Sequence, residues 1–262
     1  MFWYFGYGSN MTLRSLLAKG VRPQRSERAI LRGWRLRFNV QHFFRHEGGV
    51  ANIESSNDPS DEVWGVLHLC EDKDLVLLDS AEVYPHGYDR VMVTVLADGG
   101  EQQAIAYVGT PSFLNEASRP PQRYLSLLLE GAAAANLDPS YIEMLRHRPV
   151  HRKPQLPKFV PPSGEYPVFT AETLALHPLY TALAGSVFDM SHARWHHRFL
   201  QGIFGGKDTT LFQLMRLDSS DGGETLDDIK YGRLSPEQQL YLDEYLDAYA
   251  SEYAYVGQFR YD

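Results

Sequence analysis

Phe2-Trp3-Tyr4-Phe5-Gly6-Tyr7-Gly8-Ser9-Asn10-Met11 is the stretch whose reading decides the first half of this chain. An aromatic run of strand character stops at small and polar residues, and a helix-like pattern follows at once from Thr12 to Lys19. Gly8, Ser9 and Asn10 should therefore make a tight strand-to-helix corner whose backbone N–H groups can face solvent or a ligand. Such a corner at a helix N-terminus suits an anion or a developing oxyanion. It also suits an ordinary βα turn in which Ser9 or Asn10 is the helix N-cap. The corner alone leaves both readings open.

The segments that follow supply a sheet. Leu13, Leu16 and Leu17 give the first helix an apolar face, and Gly20 closes it. Ala29-Ile30-Leu31 and Trp34 to Val40 are strand candidates, the second alternating apolar residues with solvated arginines. Gly48-Gly49 opens Val50-Ala51-Asn52-Ile53. Val63 to Leu69 is a nearly continuous apolar strand, so both its faces should be buried, with His68 a core histidine. A helix is expected over Glu71–Ser80. Asp98-Gly99 marks a hairpin between Arg90–Leu96 and Gln102–Val108. Pro120-Pro121 starts a helix running to about Ala135, and Asp138-Pro139 caps another. Strands outnumber helices and do not strictly alternate with them. The first 150 residues thus read as an α+β unit, a small mixed-sheet, barrel-like structure surrounded by helices.

Residues 151–167 lie in a proline-rich stretch that reads as an extended linker. Residues 168–262 read as mainly helical, with helices over Thr173–Met190, His192–Gln201 and Pro236–Tyr255 and a loop at Asp218–Gly223. Tyr241, Tyr245, Tyr249 and Tyr253 recur every four residues beside Asp243, Glu244, Asp247 and Glu252. That stripe suits packing onto its own domain, or docking of a protein partner or a second copy of the chain.

Composition bounds the function. With 262 residues, 44% of them hydrophobic and 13% aromatic, the chain can build a real core. A net charge of -8 argues against general nucleic-acid binding. No apolar run approaches a membrane span, and the N-terminus has neither the basic region nor the cleavage site of a signal peptide. Cys70 is the single cysteine, which excludes an intramolecular disulfide and fits a reducing, cytoplasmic setting. Nothing implies a cofactor. His192 and His196, spaced i, i+4 beside His197, are the one candidate metal pair, and they lack an acidic partner at zincin spacing. Gly205-Gly206-Lys207-Asp208 lacks phosphate-loop spacing, and no G-x-S-x-G nucleophile elbow is present.

Six segments, in order, resemble the γ-glutamylcyclotransferase family. They are Tyr7-Gly8-Ser9-Asn10; Gly48 to Ile53; Asp61-Glu62-Val63-Trp64-Gly65-Val66; Leu78-Asp79-Ser80-Ala81-Glu82 leading to Gly87-Tyr88-Asp89-Arg90; Ala106-Tyr107; and Pro120-Pro121-Gln122-Arg123-Tyr124. The resemblance covers slightly over half the chain and does not extend beyond about residue 155. It implies a barrel-centred α+β fold that releases an amine from a γ-glutamyl amide and leaves 5-oxoproline, with Glu82 as the essential glutamate. Val83 departs from the glycine that many members carry after that glutamate.

The residues fit such chemistry. Ring closure by the substrate's own α-amine is intramolecular, so the enzyme mainly has to hold the folded conformer. One carboxyl group can take a proton from the α-ammonium and return it to the departing amine, provided its pKa is raised by an apolar setting. Glu82 fills that role, with Asp79 one helical turn earlier as its rival. Gly8, Ser9 and Asn10 could hold the oxyanion or the substrate carboxylate. Tyr7, Tyr88, Tyr107 and Tyr124 are candidate pocket walls. The contrasting expectation is a catalytically silent module that acts as a scaffold through its C-terminal tyrosine-rich acidic helix.

Overall fold

The computed structural model describes residues 1–217, 220 and 223–261. Residues 218, 219, 221 and 222 of the expected Asp218–Gly223 loop lie outside the described residues. The chain divides into two compact units, Met1–Lys153 and Pro154–Asp262. Among the described residues no helix is long and apolar enough to cross a membrane.

The first unit is built on a closed five-stranded barrel. Its strands are β1 (Phe2–Gly6), β2 (Arg25–Arg32), β5 (Glu62–Cys70), β6 (Tyr88–Ala97) and β7 (Gly100–Gly109), in the order β1-β5-β2-β6-β7. β1 runs antiparallel to β5 and parallel to β7, which closes the sheet and makes it mixed. β6 and β7 are the two arms of the hairpin that turns at Asp98-Gly99. A separate two-stranded sheet pairs β3 (Trp34–Gln41) with β4 (Gly49–Ser55). β5 is buried along most of its length, as its unbroken apolar run requires.

Two short helices flank β1 and place the site. α1 (Leu13–Ala18) is capped by Thr12, whose hydroxyl accepts the Ser15 N–H at 3.1 Å; the expected Ser9 or Asn10 cap is not used. Ser9–Met11 instead form a separate 3₁₀ turn. Gly20, at φ +80°, ends α1: its N–H reaches the Leu17 carbonyl and the Val21 N–H reaches that of Leu16, the two bonds of a Schellman motif. α2 (Leu75–Ala81) follows a 3₁₀ turn at Asp72–Asp74. Leu16 of α1 and Leu78 of α2 are buried with Tyr4, Val21, Cys70 and Tyr107 in one apolar cluster. Burying these side chains fixes both helices against β1 and β7 and brings the end of α2 beside the first loop. α3 (Gln122–Ala134) and α4 (Pro139–Arg146) complete the unit.

In the second unit the helices accompany a five-stranded sheet that the periodicity did not reveal. Its order is β11 (Lys207–Asp208), β9 (Tyr180–Leu183), β10 (Ser186–Asp189), β12 (Ala254–Phe259), β8 (Val168–Phe169). The expected helix over Thr173–Met190 is therefore corrected. Only α5 (Ala171–Ala175) is helical there, and Ala184-Gly185, both at positive φ, turn β9 into β10 as a hairpin. α6 (Pro236–Glu252) carries the tyrosine stripe inward. Tyr245, Tyr249 and Tyr253 are buried, with hydroxyls on Arg216 (3.0 Å), Thr209 (3.1 Å) and His197 (2.8 Å) respectively. Within the proline-rich segment, the Phe159 N–H donates to Asp247 at 2.6 Å and its ring packs on Phe188 and Tyr255.

Asp208 carries an electrostatic cost in this unit. Thr210 Oγ1 donates to its Oδ1 at 2.6 Å, whereas its buried Oδ2 meets no partner among the described residues. Burial pushes its carboxyl up to about 6, against hydrogen bonds from Thr210 and Tyr261 that favour the charge. A carboxyl raised in the folded state stabilises fully below its unfolded pKa, and that contribution is lost as pH rises through the folded value. The second unit should therefore lose on the order of 2 kcal/mol between pH 4 and pH 7 through this group. Denaturant titrations at the two pH values should show a smaller loss in Asp208→Asn; an unchanged loss would clear Asp208 of the effect.

Candidate active site

A pocket of about 300 Å³, counted to its open mouth, lies at the end of β1. Its walls are Tyr4, Tyr7, Gly8, Ser9, Asn10, Ala51, Glu82, Tyr88, Tyr107 and Tyr124. All eight residues singled out in the sequence meet there: Glu82 and the proposed binding residues Tyr7, Gly8, Ser9, Asn10, Tyr88, Tyr107 and Tyr124. Sequence reasoning missed Tyr4, Ala51 and, behind the wall, Lys19. Tyr4 and Ala51 lay within segments already quoted, but nothing in their spacing separated them from core residues.

The tyrosines are fixed by backbone contacts rather than left to swing. Tyr7 OH donates to the Tyr107 carbonyl. Tyr88 OH donates to the Ala51 carbonyl at 2.7 Å, and the Ala51 N–H donates to Tyr124 OH at 3.2 Å. β4 thus pins two tyrosines through a single alanine. Gly8 is required by this closeness, since a Cβ there would stand 2.8 Å from Tyr124 OH. Burial raises the Tyr4, Tyr7 and Tyr88 hydroxyls well above their ordinary range and pushes Tyr124 up to about 12, so these groups stay neutral, with the Tyr7 and Tyr88 protons already given to backbone carbonyls.

Glu82 is the C-cap residue of α2, and its carboxyl faces the first loop across the pocket. Asn10 Nδ2 donates to Glu82 Oε1 at 2.9 Å and to Tyr4 OH at 2.7 Å. Asn10 Oδ1 accepts from Lys19 Nζ at 2.7 Å and from Ser15 Oγ at 3.2 Å. Burial raises the Glu82 carboxyl above the usual range, while the Lys19 charge and the Asn10 hydrogen bond hold it back. Burial lowers Lys19, and the Glu82 charge opposes that. His68 anchors the loop from below: its Nε2 lies 2.9 Å from the Asn10 carbonyl and its Nδ1 2.8 Å from Ser26 Oγ. Burial depresses it to about 4, so it stays uncharged at neutral pH.

Asp79, the rival carboxylate, is not in the pocket wall. It accepts from Tyr107 OH at 2.7 Å and pairs with Arg90 at 3.5 Å, which stacks on Tyr84. The two candidate acids are thus separated by environment, one enclosed by tyrosines and one salt-bridged.

The turn after Glu82 accounts for the residue that departs from the family pattern. Val83 N–H reaches the Ser80 carbonyl and Tyr84 N–H reaches that of Asp79, again the two bonds of a Schellman motif. Val83 sits at φ +54°, a left-handed conformation that glycine adopts freely and a β-branched residue resists. The same motif ends α1 with Gly20 and α2 with Val83.

Among the described residues no group of three or more His, Cys, Asp or Glu is placed to hold a metal ion. His192 and His196 are not on one helix, contrary to the i, i+4 expectation: His192 lies in a turn and His196 in the 3₁₀ turn Trp195–His197. His197 is buried against Tyr253 and Arg194.

Residues 4–126 match the family model "Gamma-glutamyl cyclotransferase, AIG2-like". The chain is 29% identical over 173 residues to "Gamma-glutamyl cyclotransferase aclK" of Aspergillus oryzae (strain ATCC 42149 / RIB 40), an alignment covering 58% of this chain and 63% of that protein. It therefore spans less than two thirds of that relative's length. A solved protein from Homo sapiens, described as uncharacterized, superposes with a TM-score of 0.50 at 27% identity over 59% of this chain and 91% of that one. YkqA from Bacillus subtilis superposes with a TM-score of 0.50 at 26% identity, covering 57% of this chain and 56% of that one.

Replacing Val83 by glycine removes the left-handed strain, worth about 1–2 kcal/mol, at an entropic cost of about 0.5–1 kcal/mol. Val83→Gly should hold or raise the unfolding free energy of the first unit by up to about 1 kcal/mol. A loss above about 2 kcal/mol on denaturant titration would mean that the isopropyl group, not the backbone, sets this turn.

Proposed function

We propose, on the premise that residues 4–126 are a gamma-glutamyl cyclotransferase, AIG2-like domain, that this protein converts a γ-glutamyl amide to 5-oxoproline and a free amine without a cofactor. The observation that carries the reading is the Glu82 carboxyl, enclosed by five tyrosines and held 2.9 Å from Asn10 Nδ2.

The substrate's α-ammonium gives a proton to Glu82, and the neutral nitrogen attacks the γ-carbonyl carbon to form the ring C–N bond. The tetrahedral oxyanion collapses, the bond to the departing nitrogen breaks, and Glu82 returns the proton to that nitrogen. The ring nitrogen then gives up its second proton, which Glu82 passes to the released amine, so two protons move from the α-ammonium to the departing group, which leaves as an ammonium beside the neutral lactam N–H. The raised Glu82 pKa narrows the gap to the ammonium, and that closer match is what makes a carboxylate a usable base. The rigid tyrosine wall favours the folded substrate, so part of the acceleration comes from orientation. The Tyr7-to-Asn10 loop binds the α-carboxylate or the oxyanion, and the neutral Tyr4 and Tyr124 hydroxyls, which accept from Asn10 and Ala51, can donate to the same groups.

The scaffold alternative has less behind it. A binding module has no need of an enclosed, hydrogen-bonded glutamate, and three of the four stripe tyrosines are spent on packing in their own unit.

Glu82→Gln keeps shape and removes the proton carrier. With γ-glutamyl amides as substrates, 5-oxoproline formation should fall by about 10²–10⁴-fold in kcat, with KM little changed. The variant should be no less stable than the parent near neutral pH, because it removes a buried charge. Wild-type turnover in Glu82→Gln would refute the assignment.

A further inference from the structure

We propose that Lys19 is a positioning residue for Glu82: its ammonium locks the Asn10 amide and keeps the carboxyl in the form that can accept a proton. The inference deepens the proposed function and rests on it for the kinetic arm of its test.

The geometry starts from what lysine can do. An ammonium has three donors and no acceptor. Lys19, one residue past α1, is half-buried and directs Nζ at Asn10 Oδ1 (2.7 Å), Ser15 Oγ (2.8 Å) and the Ser15 carbonyl (3.4 Å). The partner facing Lys19 must therefore be the amide oxygen of Asn10. That choice turns Nδ2 toward Glu82 Oε1 and Tyr4 OH. With Lys19 absent the amide can flip, and a flipped amide would set its oxygen against the carboxylate. The lysine thus fixes an orientation one side chain removed from the substrate.

Its charge acts as well. The groups around Glu82 are Tyr4 of β1, Tyr7 of the first loop, Tyr88 of β6, Tyr107 of β7 and Tyr124 of α3, all of them neutral. His68 of β5 is neutral, and Asp79 of α2 is paired with Arg90 of β6. Among the described residues, Lys19 is the cation whose charge bears on the Glu82 carboxyl. It opposes the upward push that burial exerts on the Glu82 carboxyl, and so favours the form that can accept a proton. It also keeps protonated Glu82 acidic, which favours return of the proton to the departing amine.

The test uses the full chain with Lys19→Met, Lys19→Gln and Lys19→Arg. In carbon-13 NMR or infrared titration of Glu82, the methionine and glutamine variants should raise its midpoint by about one pH unit, and arginine should leave it near the parent value. In kinetics, the acidic limb of kcat/KM should move up with it, with kcat near neutral pH lower by about 10–100-fold and partly restored at higher pH. KM should change little. Glutamine keeps a donor for Asn10 and drops the charge, so it separates the two roles and serves if the methionine variant fails to fold. An unshifted Glu82 midpoint in a folded Lys19→Gln or Lys19→Met protein overturns the proposal. The spectroscopic titration decides this even if the parent forms no 5-oxoproline, an outcome that would sink the proposed function instead.

Discussion

The first unit is organised around the cost of enclosing one carboxylate. Taking an ionised carboxyl out of water is expensive unless donors and a counter-charge replace the lost hydration. Here the replacement is partial: one amide hydrogen bond and one ammonium beyond it. A complete replacement would pin the glutamate as an ordinary buried anion, and none at all would leave it a permanently neutral acid. The intermediate state, raised yet held back, is what a proton carrier needs. Each neighbouring element serves that balance. The 3₁₀ turn presents Asn10, α1 delivers Ser15 and Lys19, and the neutral His68 of β5 holds the loop backbone without adding a competing charge.

The barrel explains how distant residues converge. β1 lies between β5 and β7, so the loop that leaves β1 emerges beside both. The apolar cluster of Tyr4, Leu16, Leu78, Cys70 and Tyr107 then seats α2 so that its C-cap residue, Glu82, faces back across the pocket. Glu82 sits where a Schellman motif ends the helix, a geometry with little freedom to wander. Keeping valine at its left-handed position stores strain next to the enclosed carboxyl.

Legibility differed sharply between the two units. In the first, each element carried its own signal: the aromatic run ending in small residues, the unbroken apolar run of β5, Asp98-Gly99, Pro120-Pro121. The resemblance added which of many tyrosines and acids belong together. In the second unit the sheet went unread because its strands are two to six residues long and therefore show no period. Alanine and leucine around residues 174–184 carry helix propensity, yet tertiary pairing with β12 and β11 overrides it. Gly185 was the local clue to the hairpin, and one glycine in an alanine-rich stretch is a faint one. The tyrosine stripe was readable as a helix face; what it covers was not.

The amino-acid order by itself determined the barrel's strand candidates and the loop at Tyr7 to Asn10, because strand alternation, turn chemistry and motif order are local properties, and it left Glu82 and Asp79 as the two candidate acids. Only the tertiary structure decided which acid is enclosed and which is salt-bridged, that Lys19 stands behind Asn10, and that Val83 occupies a left-handed turn. Those are matters of distance and burial between segments far apart in the chain, and no period or spacing encodes them.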